Sequence, residues 1–254
     1  MRPTTLISLV VALTVPASGA LGMVGDLEAF LRAVEAASAV TVPLRADGQM
    51  EAQLATGQVR SDLVMILRPP ADTYIELREG QRKALLLPSA GTAYRLYTTG
   101  GKAEAFAQNA TFADSDFTRE DLEPFQLARY GNWLIADESG GEITVTLLPK
   151  SSQYTMLVTT FDVERKVPLK TLYYQDTLNN LVKIRREGDY TLVGRKWMPS
   201  AISMENFKFR TTTALRLAWT QGAEFPPELF DPAFLSRSLA FGPQRAPAGA
   251  PAGQ

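Results

Sequence analysis

The hydrophobic and polar positions of this chain change period once, early. In GDLEAFLRAVEAAS, residues Leu27, Phe30, Leu31 and Val34 recur at i, i+3, i+4 and i+7 behind Asp26, a residue suited to an N-cap. That spacing predicts an amphipathic helix over 26–37. From about Gln49 the period falls to two. The runs QMEAQLAT, VRSDLVMILR, DTYIELRE, RKALLLP and AYRLYTT are short and bounded by Gly, Pro or Asp. After Gly141, EITVTLLP puts Ile143, Val145 and Leu147 on one face and threonines on the other. YTMLVTTFDVER, PLKTLYYQD, LVKIRREGD and TALRLAW continue the pattern, and Leu215, Leu217 and Trp219 alternate cleanly. Gly100-Gly101, Gly140-Gly141, Asn179-Asn180 and Gly188-Asp189 read as hairpin turns. About ten or eleven strands joined by short turns predict a mainly β chain with a few helices, an antiparallel meander curled into a barrel or half-barrel.

One acidic stretch interrupts the meander, TFADSDFTREDLEPFQ from Thr111 to Gln126. Thr118 and Asp121 have capping-box spacing, and Phe117 and Leu122 stand where a hydrophobic staple would join them. A short helix over 118–125 follows, and since a helix cannot enter the ladder it must cross a face or mouth of the sheet. Asp114, Asp116, Glu120 and Asp121 make this the densest carboxylate cluster. The cluster lacks the glycine and distal Glu of a calcium loop, so its expected work is helix capping and solvation.

The ends of the chain differ from the middle. Arg2, the apolar run Leu6–Val15 and the small residues Ser18 and Ala20 read as an export signal cut after Ala20, too short in its apolar part to span a bilayer. Residues 21–242 then form a single domain, and the Pro/Ala/Gly-rich residues 243–254 a disordered tail. Before the tail, FPPELFDPAFLSRSL carries Phe225, Leu229, Phe230 and Phe234. The expectation is that it buries these by plugging one end of the barrel; a partner-docking tail is the alternative.

Composition narrows the chemistry. The 254 residues are 45% hydrophobic and carry 26 Lys+Arg against 27 Asp+Glu, so no basic excess exists to hold nucleic acid. The chain has no His and no Cys, which removes His-assisted Ser hydrolysis, thiol catalysis and zinc sites of the usual type. Disulfides are absent too, so the core alone must hold the fold. No nucleophile-elbow, nucleotide-binding or phosphate-loop motif occurs. Neither an enzyme nor a cofactor or metal site is expected.

Three stretches carry a resemblance. SDFTREDL (115–122), the run from Arg195 to Leu215 with its W-x-P, I-x-M and Thr-rich parts, and FPPELFDPAFL together resemble the outer membrane lipoprotein-sorting family, the LolA-like periplasmic proteins. Asp114 stands where that family usually has Gly, and Arg119 where it often has an aromatic. The resemblance implies a half-open antiparallel barrel whose helical lid covers an apolar cavity. The helices at 26–37 and 118–125 would be the lid. LVMIL (63–67) and ALLLP (84–88) are apolar on both faces; one face can meet the lid and the other must find cover elsewhere. A dry, side-chain-filled core would use the same runs, so the residues alone leave cavity and core open. Under the resemblance, the candidate lining residues are Met65, Leu67, Ile75, Leu77, Leu85, Leu87, Phe117 and Leu122. The implied function is a non-enzymatic periplasmic carrier of lipoprotein acyl chains or lipid. Its implied partners are an inner-membrane transporter and an outer-membrane acceptor. The alternative is an accessory or sensor protein of the same fold that binds an inner-membrane exporter.

Overall fold

The computed structural model of the chain describes residues 24–77, 82–96, 101–222 and 224–235. The expected signal segment, the disordered tail and part of the Gly100-Gly101 turn lie outside these residues. Helix α1 (Leu27–Ser38) starts where the sequence places it, with Asp26 Oδ1 accepting from the Ala29 N–H at 3.0 Å. Its apolar stripe buries Phe30, Leu31 and Val34. Strands follow as β1 (Leu44–Gln53), β2 (Val59–Arg68), β3 (Thr73–Leu77), β4 (Arg82–Leu87), β5 (Thr92–Leu96) and β6 (Glu104–Ala105). A crossing segment, 106–129, holds α2 (Arg119–Leu122). The rest are β7 (Tyr130–Ser139), β8 (Glu142–Pro149), β9 (Met156–Asp162), β10 (Val167–Tyr174), β11 (Leu181–Val193), β12 (Lys196–Asn206) and β13 (Thr211–Gln221).

These strands make one antiparallel sheet in the order β6-β5-β4-β3-β2-β1-β13-β12-β11-β10-β9-β8-β7. It is not closed: β6 and β7 are its edges, and 106–129 runs from one edge to the other. The half-open, mainly β architecture is the expected one, with 13 strands rather than ten or eleven. Besides β12, which falls within the Arg195–Leu215 stretch, the strands the pattern missed are these edges. β6 is two residues long, and β7 has no buried position, so neither writes an alternating apolar signal. The Gly188-Asp189 pair is not a turn either. β11 runs straight through it, and the hairpin falls at Gly194-Arg195, with φ of 54° and 68°.

The period-two alternation sorts side chains onto two faces. Val64, Ile66, Ile75, Leu77, Ala84 and Leu86 face inward, in one cluster with Ile143, Val145, Leu147, Phe161, Met204 and the α1 stripe. Met65, Leu67, Tyr74 and Leu85 face outward, and residues 224–235 cover them with Leu229 and Leu235. Phe225, Phe230 and Phe234 pack half-buried against the same cluster. The closing segment therefore buries its aromatics on the outer face of β2–β4 rather than plugging an end of the barrel. The doubly apolar strands β2 and β4 dictate this, since each leaves a second face to be taken out of water.

A buried polar network fixes the crossing segment. The Phe112–Ser115 turn is closed by the Ser115 N–H to the Phe112 carbonyl at 2.9 Å, with Ala113 and Asp114 at φ 54° and 52°. Asp tolerates that left-handed backbone, which accounts for its standing where the family it resembles usually has Gly. Asp114 stays exposed and pairs with Arg82 at 2.6 Å. Asp116 and Asp121 are only 5% and 3% exposed, so for these two the expected solvated role is wrong. Asp116 accepts from the hydroxyls of Thr211 at 2.5 Å and Thr213 at 2.9 Å. Asp121 Oδ2 accepts from the Thr118 N–H at 2.8 Å and Lys183 Nζ at 3.0 Å, and Oδ1 from the Tyr154 hydroxyl at 3.1 Å. Lys183 also donates to the Asp116 carbonyl at 2.7 Å. Helix α2 is one turn, Arg119–Leu122, not 118–125. Pro124 disfavours helix at Glu123, which is extended at ψ 146°.

Two measurements test the anchors. A Cβ on Gly48, where β1 lies between Val64 of β2 and Leu217 of β13, would sit 1.9 Å from the Arg216 carbonyl oxygen. Gly48→Ala is expected to cost about 1–3 kcal/mol or more in urea unfolding, whereas Gly188→Ala, with nothing within 4 Å, leaves stability unchanged or slightly raised. Lys183→Met strands the buried Asp121 carboxylate and is expected to cost about 3–5 kcal/mol in the same measurement.

Candidate functional site

The inner face is not filled. Between the sheet, α1 and the crossing segment lies a cavity of about 240 Å³. Val34 of α1, Ile66 of β2 and Ile75 of β3 line one side; Leu157 and Phe161 of β9, Tyr173 of β10, Ile202 of β12, and Leu215, Leu217 and Trp219 of β13 line the other. Phe117, Leu122 and Phe125 of the crossing segment close it above. The aromatic walls interlock edge-to-face: Phe161 meets Phe30 at 5.9 Å and Phe125 at 6.0 Å between ring centroids.

Of the predicted lining residues, Ile75, Phe117 and Leu122 border this cavity. Leu77 shares their inner-face cluster, wholly buried, without lining the cavity. Met65, Leu67 and Leu85 lie on the outer face beneath 224–235, and Leu87 packs against that outer cluster. The physical reason is register. Consecutive strand residues point to opposite faces, so 65 and 67 part from 66, and 85 and 87 from 84 and 86. Most of the lining comes instead from α1 and from strands after the crossing segment. Leu215, Leu217 and Trp219 were legible as one face of a strand; nothing in their spacing says which face is inner.

Polar groups interrupt the apolar wall in pairs. Glu123 bonds Arg129 at 2.9 Å and Arg119 at 2.8 Å, and Glu187 lies 2.8 Å from Arg185. Arg185 also donates to the Asp121 carbonyl and lies over the Phe117 ring at 6.0 Å. Arg68, which lines the cavity, is half-buried, and burial lowers its guanidinium pKa to about 10 against the opposing pull of Glu187. Burial pushes the Tyr130 phenol up to about 12. Glu120 is paired more loosely, with Ser152 and the Gln153 backbone as further partners that oppose the effect of burial. Its Oε1 is 3.4 Å from Arg129, its Oε2 is buried with no hydrogen-bond partner, and burial raises its pKa above 4.5.

An open antiparallel sheet wrapped around an apolar cavity, with a helix and a crossing segment over it, is the architecture of the LolA-like proteins. The chain superposes on an outer membrane lipoprotein-sorting protein domain from Vibrio parahaemolyticus with a TM-score of 0.73 at 18% identity, over 82% of this chain and 97% of that one. A DUF1329 family protein from Desulfovibrio piger gives 0.70 at 15% identity, covering 80% and 95%. A LolA superfamily protein from Nitrosomonas europaea gives 0.61 at 11%, covering 80% and 96%. The resemblance in SDFTREDL and the W-x-P run thus holds at the level of fold. A family model described as "-like: Uncharacterized protein" matches residues 85–237, and the chain belongs to that family. No curated protein matches it in sequence.

Glu120 supplies a pH test. Because its folded pKa is raised, the protonated form favours the fold, and the stability it contributes at low pH is lost as pH rises. Glu120→Gln is therefore expected to melt increasingly above the wild type as pH climbs from below 4.5 toward neutrality. Melting curves across that range that run parallel would remove the carboxylate from this role.

Proposed function

We propose that this protein is a non-enzymatic periplasmic carrier that holds acyl chains of lipoproteins or lipid in the cavity between its sheet and its lid. The observation that carries this reading is the unfilled, apolar-walled space on the inner face, in a fold where that space could have been packed solid. The similarity in fold to a lipoprotein-sorting domain supports the same reading. About a dozen buried CH₂ groups at ~0.8 kcal/mol each give a gross stabilisation on the order of 10 kcal/mol. Association and ordering costs remove several of these, leaving binding tight enough to carry and weak enough to release. Three of the four carboxylates that line the space, Asp121, Glu123 and Glu187, stand in ion pairs of 3.0 Å or less with a neighbouring Arg or Lys, while Glu120 is 3.4 Å from Arg129. That pairing suits a structural role better than acid–base work. Export to the periplasm rests on the signal-like residues 1–20.

Mass spectrometry of solvent extracts from the native protein, together with displacement of a fluorescent fatty acid, tests the carrier reading. Ile75→Trp is expected to cut probe binding with little loss of stability, because the cavity accepts the ring. Leu85→Trp, on the covered outer face, is expected to leave binding intact and cost about 1–3 kcal/mol by overpacking. A wild type that yields no extractable lipid and binds no acyl probe would favour the accessory reading, in which the same fold binds an inner-membrane exporter.

A further inference from the structure

The antiparallel order places the β1–β2, β12–β13 and β10–β11 turns side by side along one rim of the sheet. Four of the exposed large apolar side chains gather there: Val59 at 65% exposure, Phe207 at 41%, Phe209 at 58% and Leu178 at 59%. The contrast within one residue type is sharp. Phe30, Phe106, Phe112, Phe117 and Phe161 are all buried, whereas the two phenylalanines of the β12–β13 turn stand in water. They alternate with cations in Phe207-Lys208-Phe209-Arg210. Lys208 Nζ lies over the Phe209 ring at 5.7 Å, and neither Lys208 nor Arg210 enters an ion pair among the described residues. Nearby Glu205 is paired with Arg186 at 3.4 Å, and Asp176 is the exposed acid of the adjacent turn. The tip of the rim is thus apolar and locally positive, on a chain whose overall charge is −1.

We infer that this rim is a docking surface for an anionic phospholipid bilayer, with Phe207 and Phe209 entering the interface and Lys208 and Arg210 meeting the phosphates. Aromatic side chains next to cations suit that boundary, where the ring is apolar and the charge stays wet. Each basic residue near an anionic surface adds attraction that salt screens away. No helix among the described residues is long and apolar enough to cross a membrane. The cavity runs toward the other rim, where Lys166, Trp197 and Trp219 line it. A chain docked this way keeps that end of the cavity turned from the bilayer, toward a partner in the aqueous space.

The test is flotation of the chain recovered after export with vesicles of phosphatidylcholine, with and without phosphatidylglycerol. The wild type is expected to float with the anionic vesicles alone and to release in high salt. Lys208→Ser/Arg210→Ser and Phe207→Ser/Phe209→Ser are each expected to weaken that binding roughly tenfold or more, with unchanged melting. Because the chain has no Cys, a fluorophore on Phe209→Cys reports the tip directly. Its emission is expected to shift to the blue on anionic vesicles, while the same label on Glu142→Cys at the opposite rim does not shift. Absence of wild-type binding, binding of both double variants at the wild-type level, equal shifts at both rims, or capture of a protein by the tip without vesicle binding would each overturn the inference.

Discussion

Asp116 and Asp121 are acidic side chains sunk beneath a crossing segment, and the segment stays where it is because each finds its partners on the sheet below. Lys183 bridges the two, bonding the Asp121 carboxylate and the Asp116 carbonyl, while Thr211 and Thr213 satisfy the Asp116 carboxylate. Burying two carboxylates and an ammonium is costly unless every partner is in place. These partners tie the segment to β11 through Lys183 and to β13 through Thr211 and Thr213. The two most telling stretches of the sequence, Ser115–Leu122 and the Thr-rich run before Leu215, are the two halves of this one network.

From that anchor the cavity follows. A segment held at Asp116 and Asp121 suspends Phe117 and Leu122 over the inner face, while α1 lays Phe30, Leu31 and Val34 alongside. The polar anchors hold the lid up, so the apolar side chains beneath need not meet to hold it down. A space bounded this way persists where an unconstrained hydrophobic face would collapse onto itself. The outer face has no such strut, and residues 224–235 close directly over Met65, Leu67 and Leu85.

The open edges fit the same scheme. β6 is only two residues long, and β7 is interrupted by register shifts near Tyr130 and Ile135, features that discourage pairing with another sheet. The sheet can therefore stay unclosed, which the crossing segment requires: a sealed barrel would leave it no route from one edge to the other.

Local physics wrote a good part of this molecule into its sequence. The helix at Leu27–Ser38 follows from its apolar spacing and the Asp26 cap, and β8 and β13 from strict alternation. The two-faced apolarity of β2 and β4 even announced a second covering element. Tertiary structure alone decided which face was which. Alternation states that Ile66 and Leu67 point apart, never which of them looks inward, and four of eight candidate lining residues accordingly lie on the outer face. It also decided the meaning of the acidic cluster. Asp114 and Asp116 look alike in sequence, and only the long-range pairing with Thr211, Thr213 and Lys183 makes one a surface charge and the other a buried anchor, because the stabilisation of a carboxylate depends on partners nearly a hundred residues away.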